Sequence, residues 1–384
     1  TRVVGVYPQG VKLSVRVTFS DSSSVEVGLE HLWTARYRRG GRAWADVVLT
    51  TEQVRDWPQG RGQLYLPMLS APVEFEPRLA PPFPPYALGY LIANGALQSS
   101  VTVSTHSDDV AEVRSRFVGE GLDAGPIRPC AGLASRFSVR GVTKQMRLLG
   151  IDVKSRYKRV PRAALLESPA YRQDLLQGLL DGDGSCSATG NRLTYSTTSA
   201  GLADDVRELV EGLGGVASVK RYERADGEVN YSVRLRLPVW VEPFSVRRKS
   251  SRYVPGNRAR PCRTFLSFEH VRYVEQVCIA VAAEDQLYVT ERCLLTHNTV
   301  QALGALDARV PVLVVCPASV KGVWRDHVLA PELGGLGWRP DFVPVVVERF
   351  RWPRPGELVV TNYERLPSGA GEKSGPVARR DELG

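Results

Sequence analysis

Apolar and polar residues alternate singly through the opening of the chain, in Val11 to Phe19, Val25 to Val27 and Val47 to Leu49. Turn-forming runs, Gln9-Gly10, Asp21-Ser-Ser-Ser and Arg39-Gly-Gly, separate these stretches. A period of two between short turns predicts β-strands. The pattern stops at Ala80-Pro-Pro-Phe-Pro-Pro85, whose rings continue neither helix nor sheet, and a new unit begins at Tyr86.

Within that unit the hydrophobic period lengthens and one segment occurs twice. Ala87-Leu-Gly-Tyr-Leu-Ile-Ala-Asn-Gly95 and Leu176-Gln-Gly-Leu-Leu-Asp-Gly-Asp-Gly184 each form an apolar helix with a central glycine and a polar-Gly ending. Strand-like Ser100 to Thr105 and helical Asp108 to Val118 follow the first copy. Alternating Arg192 to Thr198 and an amphipathic helix, Ala203 to Leu213, follow the second, which Gly214-Gly215 stops. Helix, strands and helix twice over predict an internal duplication. Val246 to Arg263 holds seven basic and no acidic residues around Pro255-Gly256 and reads as an extended loop. Short strands then resume at Thr264 to Phe268, Val277 to Ala282 and Leu287 to Thr290, so a β domain interrupted by an inserted one is the economical reading. After Thr299 come a helix, Val300 to Leu306, a fully apolar strand, Val310 to Val315, and another helix, the texture of α/β folding around a buried parallel strand.

Composition narrows the partners. The 384 residues carry 50 Lys and Arg against 41 Asp and Glu, a net charge of +9 that favours a polyanion. No apolar run approaches the roughly 20 residues that cross a bilayer, so no membrane partner is expected. Six cysteines without a C-x-x-C pair signal neither zinc knuckle nor disulfide framework and point to a reducing, cytoplasmic setting in a bacterial or phage-infected cell. The strand-like start at Thr1 and the charged end at Gly384 both read as cut from a longer chain.

The motifs carry a family resemblance. Cys278 to Asn298, ending Leu-Leu-Thr-His-Asn and followed by Thr299, resembles the C-terminal splice block of an intein. Val25-Glu-Val-Gly-Leu-Glu-His-Leu-Trp33 resembles the upstream intein block that holds an essential histidine, here His31. The duplicated helix resembles LAGLIDADG (DOD-type) homing endonucleases. Thr299-Val-Gln-Ala-Leu-Gly-Ala-Leu, Val312 to Trp324 and Val359-Val-Thr-Asn-Tyr363 resemble a Swi/Snf-type DEAD/H-box helicase-like ATPase just after its phosphate-binding loop. The implied fold is multidomain: an all-β Hedgehog/intein domain (1–79 and 244–298) interrupted by an α+β two-repeat endonuclease (80–243), then a partial α/β RecA-like segment (299–384).

This resemblance implies two chemistries. An asparagine amide attacks its own carbonyl and cuts the chain while a neighbouring imidazole protonates the leaving nitrogen, roles for Asn298 and His297, and Thr299 supplies a hydroxyl nucleophile. His31 polarises the upstream amide. Gly28 replaces an expected threonine and Cys278 an expected aspartate, which leaves proton transfer to Cys278. The block that bears the first nucleophile, normally Cys or Ser, is expected upstream of Thr1, so the chain alone does not splice.

In the endonuclease, Gly89 and Gly178 let two helices touch, and the acidic residue before each last glycine reaches Mg²⁺ at the scissile phosphate of double-stranded DNA. Asp183 meets this requirement, with Asp181 facing elsewhere. Its counterpart, Asn94, brings no charge, which predicts a weakened or strand-biased, monomeric nuclease. Lys158 or Arg159 is the candidate catalytic cation. Arg136, Arg140, Lys144, Arg147, Lys154, Arg156, Lys158, Arg159, Arg162, Lys220 and Arg221 are candidate phosphate contacts. In the spliced host alone, Thr299 would hold the Mg²⁺ of ATP. The rival reading is a nuclease-inactive DNA-binding insertion in a helicase.

Overall fold

A computed structural model describes residues 2–39, 43–75, 82–98, 100–190, 192–225, 227–255, 261–283, 287–297, 311–315, 321–328, 342–347, 350–362 and 365. Three separate apolar cores, gathered in the β unit, the inserted unit and the C-terminal segment, make it a multidomain chain. No described helix is long and apolar enough to cross a membrane.

The alternating stretches on either side of the insertion close into one eight-stranded antiparallel sheet. Val3–Phe19 and Cys262–Val281 pair along their lengths, from Val3 opposite Val281 to Phe19 opposite Phe265. The short strands expected at 264–268 and 277–282 are therefore one strand. No glycine, proline, asparagine or aspartate interrupts 262–281 to break it. Four register shifts along the pair let so long a ribbon bend. The buried end holds the core, where Phe19, Trp33 and Phe265 meet with ring centroids 5.2–5.8 Å apart.

The insertion begins with two helices, Pro85–Asn94 and Pro169–Asp183, packed backbone to backbone. A Cβ added at Gly89 would lie 2.2 Å from the Leu175 carbonyl oxygen, and one at Gly178 would lie 2.1 Å from that of Tyr86. No side chain fits either position. Each helix runs directly into a strand, Gly95–Ala96 or Gly184–Cys186, that opens its own sheet. A second helix, Val110–Gly119 or Ala200–Gly212, backs each half. The duplication expected from sequence is thus a structural one.

Two boundaries differ from expectation. Phe244 and Val246 lie in the core of the inserted unit, which therefore extends past 243. The basic stretch after Val246 is not an extended loop at its start: it forms a helical turn, Arg247–Ser250, tied down by Arg248 to Asp109 at 2.6 and 2.8 Å. An acidic partner on another element turned an apparently solvated charge run into a docked one. In the C-terminal segment, Val312–Val315 and Val343–Val346 flank Glu357–Thr361 in a parallel three-stranded sheet, covered by Lys321–Val328. The helix expected at 300–306 lies outside the described residues.

Candidate functional site

The helix contact through Gly89 and Gly178 brings two C-terminal ends side by side. A Cβ at Gly182 would lie 2.5 Å from that of Ala93 and 3.7 Å from the Asn94 amide nitrogen. Asn94 and Asp183 are therefore neighbours at the same end of the pair. Asp183 is half-buried in a cavity of about 290 Å³ with Lys158, Asn230 and the strand end Ser196–Thr198. Burial raises its pKa, and Lys158 and Lys249 oppose that rise. Asp181 points the other way, as expected. It accepts hydrogen bonds from Tyr86 Oη at 3.0 Å, Ser245 Oγ at 2.6 Å and the Val246 amide at 3.2 Å, and so pins the chain that follows.

Helix C-termini expose carbonyls and partial negative charge, and here each is met by a lysine. Lys158 is buried, not a solvated member of its charge run. Its Nζ donates to the carbonyls of Leu91 at 3.3 Å and of Ile92 and Gly95 at 2.9 Å. Lys249 does the same on the second helix, to Leu180 at 3.0 Å, Asp181 at 2.6 Å, Gly182 at 3.3 Å and Gly184 at 2.8 Å. Burial lowers the pKa of both lysines, that of Lys158 to about 8. Sequence reading missed Lys249. The spacing that relates Gly95 to Gly184 carries Lys158 onto Arg247, two residues short of it, so the duplication held the signal.

Among the described residues no cluster of three His, Cys, Asp or Glu is built to hold a metal. One carboxylate and one amide oxygen remain, which suits Mg²⁺ only if phosphate and water complete its shell. Close to Asp183, the buried Asn230 Nδ2 and Tyr195 Oη have no hydrogen-bond partner among the described residues.

Among the described residues, the predicted phosphate contacts other than Lys158 and Arg159 have no buried side-chain partner. Arg136 and Arg140 alternate outward on Ala134–Arg140 beside Ser104 on the facing strand, while Phe137 and Val139 turn inward. Arg140 lies 3.7 Å from Asp123, and Arg147 lies 3.8 Å from Asp152. Lys144, Lys154, Arg156, Lys220 and Arg221 are exposed. Arg162 pairs with Glu208. Arg159 is a correction: it grips the buried Asp205 with two bonds, at 2.6 and 2.9 Å, and so holds the Lys158 segment in place. Arg234 and Arg236 were not foreseen. They stand outward on Val229–Arg236, with Thr194 and Ser218 opposite Arg234, and complete a polar, basic face on the second sheet.

The β unit forms its own cavity, about 420 Å³, lined by His31, Gly28, Cys278, Tyr288, Thr290 and Thr296. His31 and Cys278, far apart in sequence, thus share one cavity. His31 Nε2 contacts Thr296 Oγ1 directly, and its ring packs edge-on against Trp33 at 4.8 Å. Burial pushes the Cys278 thiol up to about 11, so it is a protonated thiol rather than a thiolate at neutral pH. Space at Gly28 is taken: the Gln276 amide oxygen lies 2.4 Å from where a Cβ would stand. His297 is described through its backbone alone, which pairs with Leu32. Asn298 and Thr299 lie outside the described residues.

Residues 170–253 match the family of LAGLIDADG-like domains. The replicative DNA helicase DnaB of Mycobacterium intracellulare is 31% identical over 171 residues, 43% of this chain and 29% of its own length. The chain thus spans under a third of that relative. Similar solved structures include I-DmoI in complex with DNA and Mn, at 14% identity over 40% of this chain and 89% of that one, TM-score 0.29. Full-length DUF199/WhiA from Thermatoga maritima is similar at 15% identity, over 47% of this chain and 64% of that one, TM-score 0.31. The chain contains a LAGLIDADG-like α+β domain within a multidomain fold and has a helicase relative.

Proposed function

We propose that the inserted unit is a metal-dependent homing endonuclease acting on double-stranded DNA, carried by an intein within a helicase-like ATPase. The observation that carries the nuclease reading is the juxtaposition of Asp183 and Asn94 at two lysine-capped helix ends, the second of which lies inside the LAGLIDADG-like segment. Asp183 and Asn94 would hold Mg²⁺, which supplies an activated water and charge neutralisation at a phosphodiester. The basic outer faces of both sheets, through Arg136, Arg140, Lys220, Arg234 and Arg236, would grip phosphates and present Ser and Thr to base edges. Lys158, its pKa lowered by burial to about 8, would hold a proton beside Asp183. Incubation with Mg²⁺ and DNA carrying the uninterrupted host gene tests the reading. Cutting that disappears in Asp183→Ala supports it.

Asn94 favours a second reading, a nuclease-inactive DNA-binding insertion. Salt-sensitive binding with no cutting would select it.

The splicing reading rests on His31, Thr296 and Cys278 meeting in one cavity of a sheet built from both sides of the insertion. Asn298 would cyclise, His297 protonate the leaving nitrogen and Thr299 receive the upstream segment. The helicase similarity covers 43% of the chain, more than residues 299–384 contain, so the shared stretch reaches into the units before them. That extent supports an insertion within a helicase host, whose ATP and Mg²⁺ Thr299 would serve after splicing. Intact mass of a precursor with its upstream segment tests it: release of a free intein is expected, and Asn298→Ala should block it.

A further inference from the structure

Six and five residues before Asn298 the backbone takes an unusual path. Arg292 and Cys293 have φ of 62° and 49°, a left-handed conformation that residues with side chains keep only where the surroundings enforce it. One guanidinium enforces it here. Arg263, with no exposed surface, donates Nη2 to the Arg292 carbonyl at 2.7 Å and Nη1 to the Cys293 carbonyl at 3.3 Å.

Two buried carboxylates hold that guanidinium. Asp21 accepts from Nε at 2.7 Å and Glu211 from Nη2 at 3.2 Å. Arg292 reaches the same pair, donating to Glu211 at 2.6 and 2.9 Å and to Asp21 at 3.3 Å. Asp21, Arg263 and Arg292 all belong to the β unit. Glu211 does not: it lies at the end of Ala200–Gly212, on the inserted unit. Beyond the turn, Leu294 enters the β core, and Leu295–His297 pairs with Leu287–Val289 and Leu32, which sets Thr296 against His31.

We propose that Glu211 is a positioning residue for chain scission: the inserted unit lends the β unit a carboxylate that, through Arg263 and Arg292, fixes the 291–293 turn and holds Thr296 on His31. This rests on the splicing reading above. It makes the two units a single mechanical piece, so the insertion is not a detachable passenger. A buried guanidinium pair stripped of one carboxylate is left undercompensated, and the strained turn is what it then releases.

A precursor that carries an N-terminal nucleophile block ahead of this chain tests the proposal, comparing wild type, Asn298→Ala, Glu211→Gln and Glu211→Asp by intact mass and by DNA cutting of the same samples. Expected is scission slowed at least tenfold in Glu211→Gln, substantial recovery in Glu211→Asp, and DNA cutting within about twofold of wild type in both. In the 384-residue chain, the His31 imidazole resonances should shift in Glu211→Gln while those of His106 and His270 stay. Unchanged scission in Glu211→Gln overturns the proposal. So does a fall in scission and DNA cutting together that tracks a lowered melting temperature. Wild type that releases no more product than Asn298→Ala defeats the splicing reading itself, and this proposal with it.

Discussion

The two halves of the inserted unit share a frame and differ in chemistry. Gly89 and Gly178 meet the opposite helix at equal distance, and Lys158 and Lys249 cap equivalent helix ends. At the functional positions the symmetry fails. Asp183 corresponds to Asn94, and the buried Asp181, which anchors Ser245 and Val246, corresponds to apolar Ile92. Packing constrains both halves alike because each helix supplies half of one contact. A metal or phosphate makes separate demands on each half, so one half can lose a charge without loss of fold.

The largest expected effect is on that asymmetry. Asp183→Asn should abolish DNA cutting, by about a thousandfold or about 4 kcal/mol of barrier, with an unchanged or slightly raised melting temperature because burial already disfavours the carboxylate. Cleavage assays and calorimetry read both, and an equal loss in Asn94→Ala would erase the distinction between halves.

Next come the shared features. Gly89→Val or Gly178→Val should each cost about 3 kcal/mol or more, since a backbone carbonyl occupies the space of the new side chain. Denaturant titration of the two variants should give similar losses, and a difference beyond about 1 kcal/mol would show the contact to be unequal.

Lys158→Met and Lys249→Met should each cost about 2 kcal/mol by stranding buried carbonyls. Lys158 adds a pH signature. Its folded pKa of about 8 lies below the usual 10.5, so the unfolded chain binds more protons between those values. Stability of the wild type relative to Lys158→Met should therefore rise as pH goes from 8 towards 10, a slope that thermal melts would detect or refute. The smallest effect is a gain: Asn94→Asp should speed cutting of the weaker strand about tenfold, about 1.4 kcal/mol, turning nicked plasmid into linear product.

Legibility in the sequence followed the range of the interactions. The duplicated helices, the glycine contact and the unequal pair Asp183 and Asn94 were readable because each half repeats one local pattern. The divided β unit was readable from alternation alone. Lys249, Arg159 and Glu211 were not, since each owes its role to a partner on another element: Gly184 for the first, Asp205 for the second, Arg263 for the third. Charge runs in a sequence look alike whether they meet water or a buried carboxylate.

Sequence by itself determined that helices with a central glycine occur twice and that one carries a carboxylate where the other carries an amide. It also determined that His31 and Cys278 flank an insertion. Only the tertiary structure decided that Lys158 and Lys249 close the helix ends, that His31 touches Thr296, and that a carboxylate of the inserted unit restrains the turn before His297. Periodicity is written along a chain, whereas desolvation and charge pairing exist only between surfaces that folding brings together.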